Sequence, residues 1–554
     1  MIRSLLYFII FTLAAQPFCL AQSNPRYLVL YKDKANSPFS IDKPTAFLSE
    51  RSVTRRTRQN ISVKTQDLPV NPDYIAAVKQ TGAKIIYSSR WFNGTLVEAS
   101  AEQLAAIKKL AFYKGIELNL PVANLTSKTP GIERVAAVRE KIEATEDLNY
   151  GNMNAQLALM EVPELHKKGF HGENMLIAVL DNGFSNGNAV PFLKHLKDEN
   201  RIIDTHDFVA RDGEVYGDGS HGLSVLSTIA ANQPGVMIGA AFKASFALYR
   251  TENDLAESPY EEITWLLAAE RADSLGVDII NSSLGYTTFE EEFDTDAYNH
   301  TYADMDGKTT IVSRAARFAT RTGILVTNSA GNDGNKSWHF IGAPADVDSV
   351  FTIGASNYDR SYASLSSVGP NAAGVQKPDV AAVGAGTIVG NNSGSVSAGS
   401  GTSFSSPLIA GLSAILWQAH PELTAQQIIY VLKKSGSQAS APDNLLGYGV
   451  PSATKAEEII ATEFTPLGTE NELLKSIVLA PNPVQSEVIL TIPSTLIGKN
   501  AELTLLGANG KTLNASQSRL TGNHKISTGD IPSGLYLINI KVASQERTLK
   551  FIKR

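Results

Sequence analysis

"GTSFSSPLIAGLSAILWQAH", Gly401 to His420, sets a serine-rich turn directly at the mouth of an apolar, helix-like run. Two readings compete for it. Ser403, Ser405 and Ser406 can cap the helix, because a hydroxyl accepts hydrogen bonds from the free N–H groups of a first turn. Alternatively, one of the three is a hydroxyl held there for chemistry. The segments around this stretch decide between them.

Working outward, residues 151–461 alternate short apolar runs with helical patterns. "MLIAVL" (175–180), "ASFALYR" (244–250), "VDIINSSLG" (277–285), "GILVTNSAG" (323–331) and "SVFTIGAS" (349–356) read as buried strands. Stretches such as "PYEEITWLLAAERADSLG" (259–276) read as helices between them. Continuous apolar strands alternating with helices indicate an α/β fold with a mostly parallel sheet flanked by helices. In such sheets, sites collect at the C-terminal ends of the strands.

Three element boundaries carry polar residues beside glycines. "MLIAVLDNGF" puts Asp181 after a buried strand, with Gly183 close behind. "DGSHGLSVLSTIAA" puts His221 at the start of an apolar helix, next to Gly222. "SGTSFSSP" puts Ser403 at the start of another. Each has an ordinary structural reading as a turn former or helix-end residue. Together they supply what an acyl-transfer site requires. A serine hydroxyl is a poor nucleophile near neutral pH and needs a base. A histidine supplies the base, and a buried carboxylate fixes its tautomer and stabilises the imidazolium. "TNSAGNDG" adds Asn332 in a glycine-rich turn after a strand. Its side-chain amide is suited to stabilise an oxyanion, with the N–H of Ser403 at the positive end of its helix as second donor. His206, in "DTHDFV", is the rival base; it lies in a β-like stretch with no glycine after it.

These segments resemble the subtilisin-like serine peptidases. That family's serine motif, G-T-S-x-[SA]-x-P, is met at every fixed position by "GTSFSSP", and "SAGNDG" matches its asparagine motif. "HGLSVLS" meets H-G-T-x-V-A in part, with Leu223 and Leu226 in place of Thr and Ala. "DNGF" carries Asn182 in the variable slot of D-[ST]-G, and "KPDVAAVG" (377–384) has Val383 in place of a proline. The resemblance covers about residues 150–460. It implies a serine endopeptidase with Ser403 as nucleophile, His221 as base and then acid, Asp181 as its orienter and Asn332 as an oxyanion donor. It further implies that Ser283, Leu284 and Gly285 line the substrate groove, that the substrates are proteins or peptides, and that no cofactor takes part. Relatives often bind calcium on surface loops; no run of Asp and Asn here identifies such a site.

The flanks fit the same picture. Residues 1–21 combine Arg3, an apolar run from Leu5 to Ala15 and Cys19-Leu20-Ala21, the pattern of a secretory signal peptide. Cys19 is the sole cysteine, so the mature chain has neither disulfide nor thiol nucleophile. No other segment reaches about 18 uninterrupted apolar residues, so no stable membrane insertion is expected. In residues 22–125, strand patterns "RYLVLYKDK", "KIIYSS" and "GTLVEAS" mix with helical "NPDYIAAVKQTG" and "SAEQLAAIKKL", a small α+β unit. By position and pattern it resembles the propeptide of such peptidases. Its basic cluster "RSVTRRTRQN" (51–60) reads as a solvated face. Residues 126–150 form a linker that carries the activation site, and 462–477 form a second linker. Residues 478–554 alternate as a β-sandwich. "APNP" (480–483), "DIPSGLYLINI" (530–540) and the basic end "LKFIKR" resemble the C-terminal sorting domain of the type IX secretion system, which makes that machinery a partner and the enzyme extracellular.

The 554 residues exceed what one domain holds, and a net charge of −6 argues against a nucleic-acid partner. A second reading keeps the fold and drops the chemistry: a surface binding or adhesive protein on an inactive peptidase scaffold.

Overall fold

The structure, a computed structural model, describes residues 24–123, 148–254, 256–464, 472–508, 510–543 and 545–554. The signal segment, most of the activation linker and the middle of the second linker lie outside the described residues. The chain forms two compact units, one ending at Ala456 and one beginning at Glu457.

The first unit opens with β1 (Arg26–Tyr31), α1 (Glu50–Arg58), α2 (Pro72–Gln80), β2 (Lys84–Ser89), β3 (Gly94–Glu98), α3 (Ala101–Ile107) and β4 (Tyr113–Ile116). The strands form an antiparallel sheet in the order β2-β3-β1-β4. Alternate side chains of a strand point to opposite faces, and both faces are used. Val29, Tyr31 and Val97 pack with Val78 of α2 and Ile107 of α3. Leu28 and Leu96 turn the other way, into the core of the larger domain that follows.

That domain contains α4 (Asn154–Ala158), α5 (Val162–Lys167), β5 (Leu176–Asp181), α6 (Lys194–Asp198), β6 (Ile202–Asp207), α7 (His221–Ala230) and a short hairpin, β7 (Asn232–Gln233) and β8 (Met237–Ile238). Next come β9 (Ser245–Arg250), α8 (Pro259–Leu275), β10 (Ile279–Ser282), α9 (Ile311–Arg321), β11 (Leu325–Ser329), β12 (Phe351–Ser356) and β13 (Val380–Val383). A hairpin of β14 (Thr387–Gly390) and β15 (Val396–Gly399) precedes α10 (Thr402–Ala419). Seven strands form one parallel sheet in the order β13-β12-β11-β10-β5-β9-β6. The five strands read from sequence are present; β6 and β13 complete the sheet at its two edges. Every residue of β5 is buried, as covering both faces of a parallel sheet requires. Helix α10 packs on β10 to β13 and against α7.

The basic cluster corrects the sequence reading. It folds as α1, and Arg55 and Arg56 are each only 2% exposed. Arg55, Arg56 and Arg90 all donate to the carboxylate of Asp273, a fully buried residue of α8, and Arg56 also reaches Asp67 at 3.1 Å. Alongside, Glu270 accepts from Ser89 Oγ at 2.6 Å and from the N–H groups of Arg90 and Trp91 at 2.9 and 3.1 Å. Burial by itself pushes the Asp273 carboxyl up, and the guanidinium groups of Arg90, Arg55 and Arg56 outweigh it, holding it below the usual range. Arg55 and Arg56 are buried because their shared counter-ion, Asp273, lies across an interface, more than two hundred positions away.

The second unit is a β-sandwich of a three-stranded sheet, β16 (Val478–Ala480), β17 (Glu487–Thr491) and β20 (Asn523–Ser527), and a four-stranded sheet, β18 (Asn500–Gly507), β19 (Thr512–Arg519), β21 (Gly534–Val542) and β22 (Gln545–Lys553). Val488, Leu490, Leu503, Ile538, Ile540 and Phe551 close its core. The alternation read from sequence is the alternation of buried and outward residues along β21.

Candidate active site

Three adjacent strands of the parallel sheet, β5, β10 and β11, end on the same edge, and the residues singled out from sequence lie just past those ends. Asp181 closes β5 and is 0% exposed. His221 is the first residue of α7, and its Nδ1 lies 2.8 Å from Asp181 Oδ1. An ionised carboxylate only accepts, so Nδ1 carries the hydrogen and Nε2 is the ring's free lone pair. Helix α7 comes this close because residue 222 has no side chain. A Cβ on Gly222 would stand 2.5 Å from Gly183 O and 2.8 Å from Asp181 Cβ. Burial of the His221 ring opposes its charge, but the charge and hydrogen bond of Asp181, with the more distant Asp254, raise its pKa above the ordinary histidine value.

Ser403 is the second residue of α10 and is 8% exposed. Its Oγ donates to Ser283 O at 3.4 Å, and among the described residues no hydrogen bond joins it to His221. The ring of Phe404, the next residue, lies 5.6 Å from the His221 ring, which brings the start of α10 beside the start of α7. The helix-cap reading of the serines fails. Gly401 is the N-cap, Ser405 Oγ donates back to Thr402 O, and Ser406 Oγ donates to Asn281 Oδ1. The acceptor that caps α10 comes from another loop: Asn332 Oδ1 receives the Thr402 N–H at 2.8 Å and the Thr402 hydroxyl at 3.1 Å. Binding Asn332 through its oxygen leaves its NH₂ as the free end, lying beside Gly401.

The stretch after β10 runs past the same point. Ser283 Oγ donates to Ser403 O at 2.9 Å, and Leu284 O accepts from Asn328 Nδ2 at 2.9 Å. Leu284 is half-buried and Gly285 exposed. The rival base His206 is elsewhere. It sits on edge strand β6, with Nε2 3.1 Å from Tyr87 OH of the N-terminal domain and its ring 4.5 Å from that of Phe208.

Two residues at this edge have contacts that the sequence does not show. Asn182 accepts from the N–H groups of His221 and Gly222 and donates to Asp254, and the loop acid Asp254 adds its charge beside His221. Of the carboxylates near the cleft, Glu252, Glu257 and Glu261 bring oxygens within 4.8 Å of one another. Glu261 already accepts from Asn253 N and Ser258 N, and Glu252 from Thr251 Oγ1 and Tyr286 OH. Burial, then mutual repulsion, pushes the pKa values of Glu252 and Glu261 upward. A set that shares protons and is committed to backbone donors is a poor cage for a hard cation, which takes 6–8 free oxygens.

Comparison with known sequences gives the family. The subtilase family profile matches residues 172–449, half of the chain. This chain belongs to the subtilase family. A profile described as the peptidase S8 propeptide domain of Bacteroidota matches residues 26–133, and a secretion system C-terminal sorting domain matches residues 478–554. Among curated relatives, a subtilisin of Bacillus pumilus is 30% identical over 277 residues, covering 49% of this chain and 87% of the relative. Subtilisin NAT of Bacillus subtilis subsp. natto is 29% identical over 306 residues, covering 54% and 69%. Among solved structures, the epidermin leader peptide processing serine protease of Staphylococcus aureus is 18% identical, with a TM-score of 0.53 over 80% of this chain and 99% of that one. At that identity the likeness speaks for the fold. The subtilase is thus a serine endopeptidase made as a zymogen, with a C-terminal address for type IX secretion that makes it extracellular or surface-bound. Among the described residues no helix is long and apolar enough to cross a membrane.

Proposed function

We propose that Asp181, His221 and Ser403 act as one catalytic triad that hydrolyses peptide bonds through an acyl-enzyme. The observation that carries the reading is the His221 Nδ1–Asp181 Oδ1 hydrogen bond of 2.8 Å, made by a carboxylate without solvent exposure, beside the helix whose first turn holds Ser403. Ser403 Oγ attacks the carbonyl carbon as His221 Nε2 takes its proton. The oxyanion so formed accepts from Asn332 Nδ2 and the Ser403 N–H, which lies in the first turn of α10 where no intrahelical acceptor exists. His221 then gives the proton to the leaving nitrogen, the C–N bond breaks, and a water repeats the sequence to free the acid. The missing Ser403–His221 bond is compatible with this, since such bonds tighten in the substrate complex.

In the same reading Ser283, Leu284 and Gly285 line the groove for substrate backbone. Residues 22–125 form the propeptide, 126–150 carry the activating cut, 151–461 form the peptidase and 478–554 the sorting domain. Replacing Ser403 by Ala is expected to lower kcat by about 10⁶-fold, a loss known from a subtilisin, and to abolish labelling by a fluorophosphonate. Peptide hydrolysis equal to wild type in Ser403→Ala protein rejects the assignment.

A further inference from the structure

Helix α7 places the imidazole at its very first residue, where a helix has N–H groups without internal partners. The residue before it, Ser220, makes no side-chain cap. Asn182 takes over that task from another element. Its Oδ1 accepts from His221 N at 3.2 Å and from Gly222 N at 3.4 Å. Its Nδ2 donates to Asp254 Oδ1 at 2.8 Å. The backbone around Asn182 is pinned as well. Its N–H donates to Asp181 Oδ1 at 2.9 Å, and its carbonyl accepts from Arg250 Nε at 3.0 Å. Gly219, at φ 56°, lies so close that a Cβ there would stand 2.3 Å from Asn182 O and 2.6 Å from Asn182 Oδ1. The other oxygen of Asp181, Oδ2, is buried and unpartnered among the described residues. Both donors to the carboxylate, His221 Nδ1 and the Asn182 N–H, therefore meet at Oδ1, and the orientation of His221 depends on that bond and on its own backbone.

We infer that Asn182 is a positioning residue whose amide ties the exposed carboxylate of Asp254 to the first turn of α7 and so fixes His221 toward Ser403. The inference rests on the assignment of His221 as base. The groups facing His221 are Asp181 from the end of β5, Asp254 from the loop after β9, and the neutral ring of Phe404 from α10. Arg250 is engaged with Asp207 at 2.8 Å and Asp218 at 3.2 Å, which offsets its charge locally. The negative charge of Asp254 favours the imidazolium. Its removal lets His221 lose its proton at lower pH, so the base is active further into acid.

The test is the rate of fluorophosphonate labelling of Ser403 against pH, with kcat and KM, in the processed full-length enzyme. Asn182→Ala is expected to lower the plateau rate and kcat about tenfold with KM held, the rate equivalent of one lost helix cap. Asn182→Asp keeps an acceptor for the α7 N–H groups, so its plateau lies above that of the alanine variant, while its added charge moves the acidic limb to higher pH. Asp254→Asn keeps an oxygen for the Asn182 amide, so its plateau lies above that of Asn182→Ala, and it moves the acidic limb down by about half a unit, the scale of one exposed charge. In the Asn182→Ala background that second shift shrinks, because the tether is gone. The inference is overturned if Asn182→Ala matches wild type in rate and limb, or if Asp254→Asn shifts the limb equally in both backgrounds. If wild-type Ser403 is not labelled at any pH, the triad reading itself fails and this inference falls with it.

Discussion

At the seam between the N-terminal domain and α8, the buried carboxylate of Asp273 accepts from three arginines, and Glu270 beside it receives a hydroxyl and two backbone N–H groups. In the cleft, Asp181 is buried as fully, yet one of its oxygens has no partner among the described residues. Among the described residues Ser403 Oγ makes only a 3.4 Å bond, and the NH₂ of Asn332 has no acceptor while its oxygen is committed. A buried polar group without a partner costs stability. The seam avoids that cost at its two carboxylates, although Arg56 Nε and Arg90 Nε find no partner there among the described residues; the cleft accepts it at Asp181 Oδ2 and at the hydroxyl and amide that a substrate would reach. Saturated carboxylates hold the two domains together; spare hydrogen-bonding capacity, held in place by committed neighbours, is what chemistry needs.

Emptying the centre of the seam is expected to have the largest effect of the variants that separate the two regions. In Ser403→Ala protein, whose N-terminal domain is expected to stay uncut, Asp273→Ala leaves Arg55, Arg56 and Arg90 buried around a missing charge. Breaking a buried ion pair from one side typically costs about 3–5 kcal/mol. Chemical denaturation of the first unit should show a loss of that order, with little change in the unfolding of the sandwich, whose core is closed by its own side chains. A loss under 1 kcal/mol would mean that the arginines re-solvate freely and that the seam is not saturated in the sense argued here.

The cleft answers differently to a comparable cut. Asn332→Ala should lower kcat by about 10²–10³, the loss seen when the corresponding donor is removed from a subtilisin. KM should change little, because the oxyanion exists only beyond the ground state. Some stability is also lost, since Asn332 caps α10 through Thr402. Comparing the variant's denaturation midpoint with its kcat separates the cap from the donor. A fall in kcat no larger than the change in folded fraction would leave Asn332 as a cap alone.

The two regions also differ in how far the sequence shows them. The strands β5, β9, β10, β11 and β12 are legible because burial on both faces forces continuous apolar runs. Asp181, His221, Asn332 and Ser403 are legible because each stands at an element boundary beside a glycine. Edge strand β6 is less visible, for it is covered on fewer sides and its residues need not be apolar, while β13 is apolar and buried but only four residues long. The seam is not legible at all. "RSVTRRTRQN" has the composition of a solvated helix, and its burial depends on Asp273, which lies 218 positions from Arg55. Asn182 is hidden for the same reason. Its amide acts between Asp254, 72 positions on, and the backbone of α7, and backbone acceptors and donors leave no mark in a residue pattern.

The rim of the seam provides the smallest effect and the sharpest control. Arg51 donates to Asp278 Oδ2, but its side chain is 40% exposed. Asp278 does not depend on it: the same oxygen accepts the Leu176 N–H at 3.0 Å, and Arg58 lies 3.9 Å from Oδ1. Removing Arg51 therefore leaves the buried Asp278 with other partners, and a pair whose cation stands at the solvent edge contributes about 0–1 kcal/mol. Arg51→Ala in the Ser403→Ala background should shift the denaturation midpoint slightly, and raising the salt concentration should erase the difference, since exposed pairs are screened over about a Debye length. Asp273→Ala should keep its effect at the same salt, because the three arginines around it are shielded from mobile ions. An Arg51 variant as damaging as the Asp273 variant would show that the number of charges at the seam governs its strength, and that their burial does not.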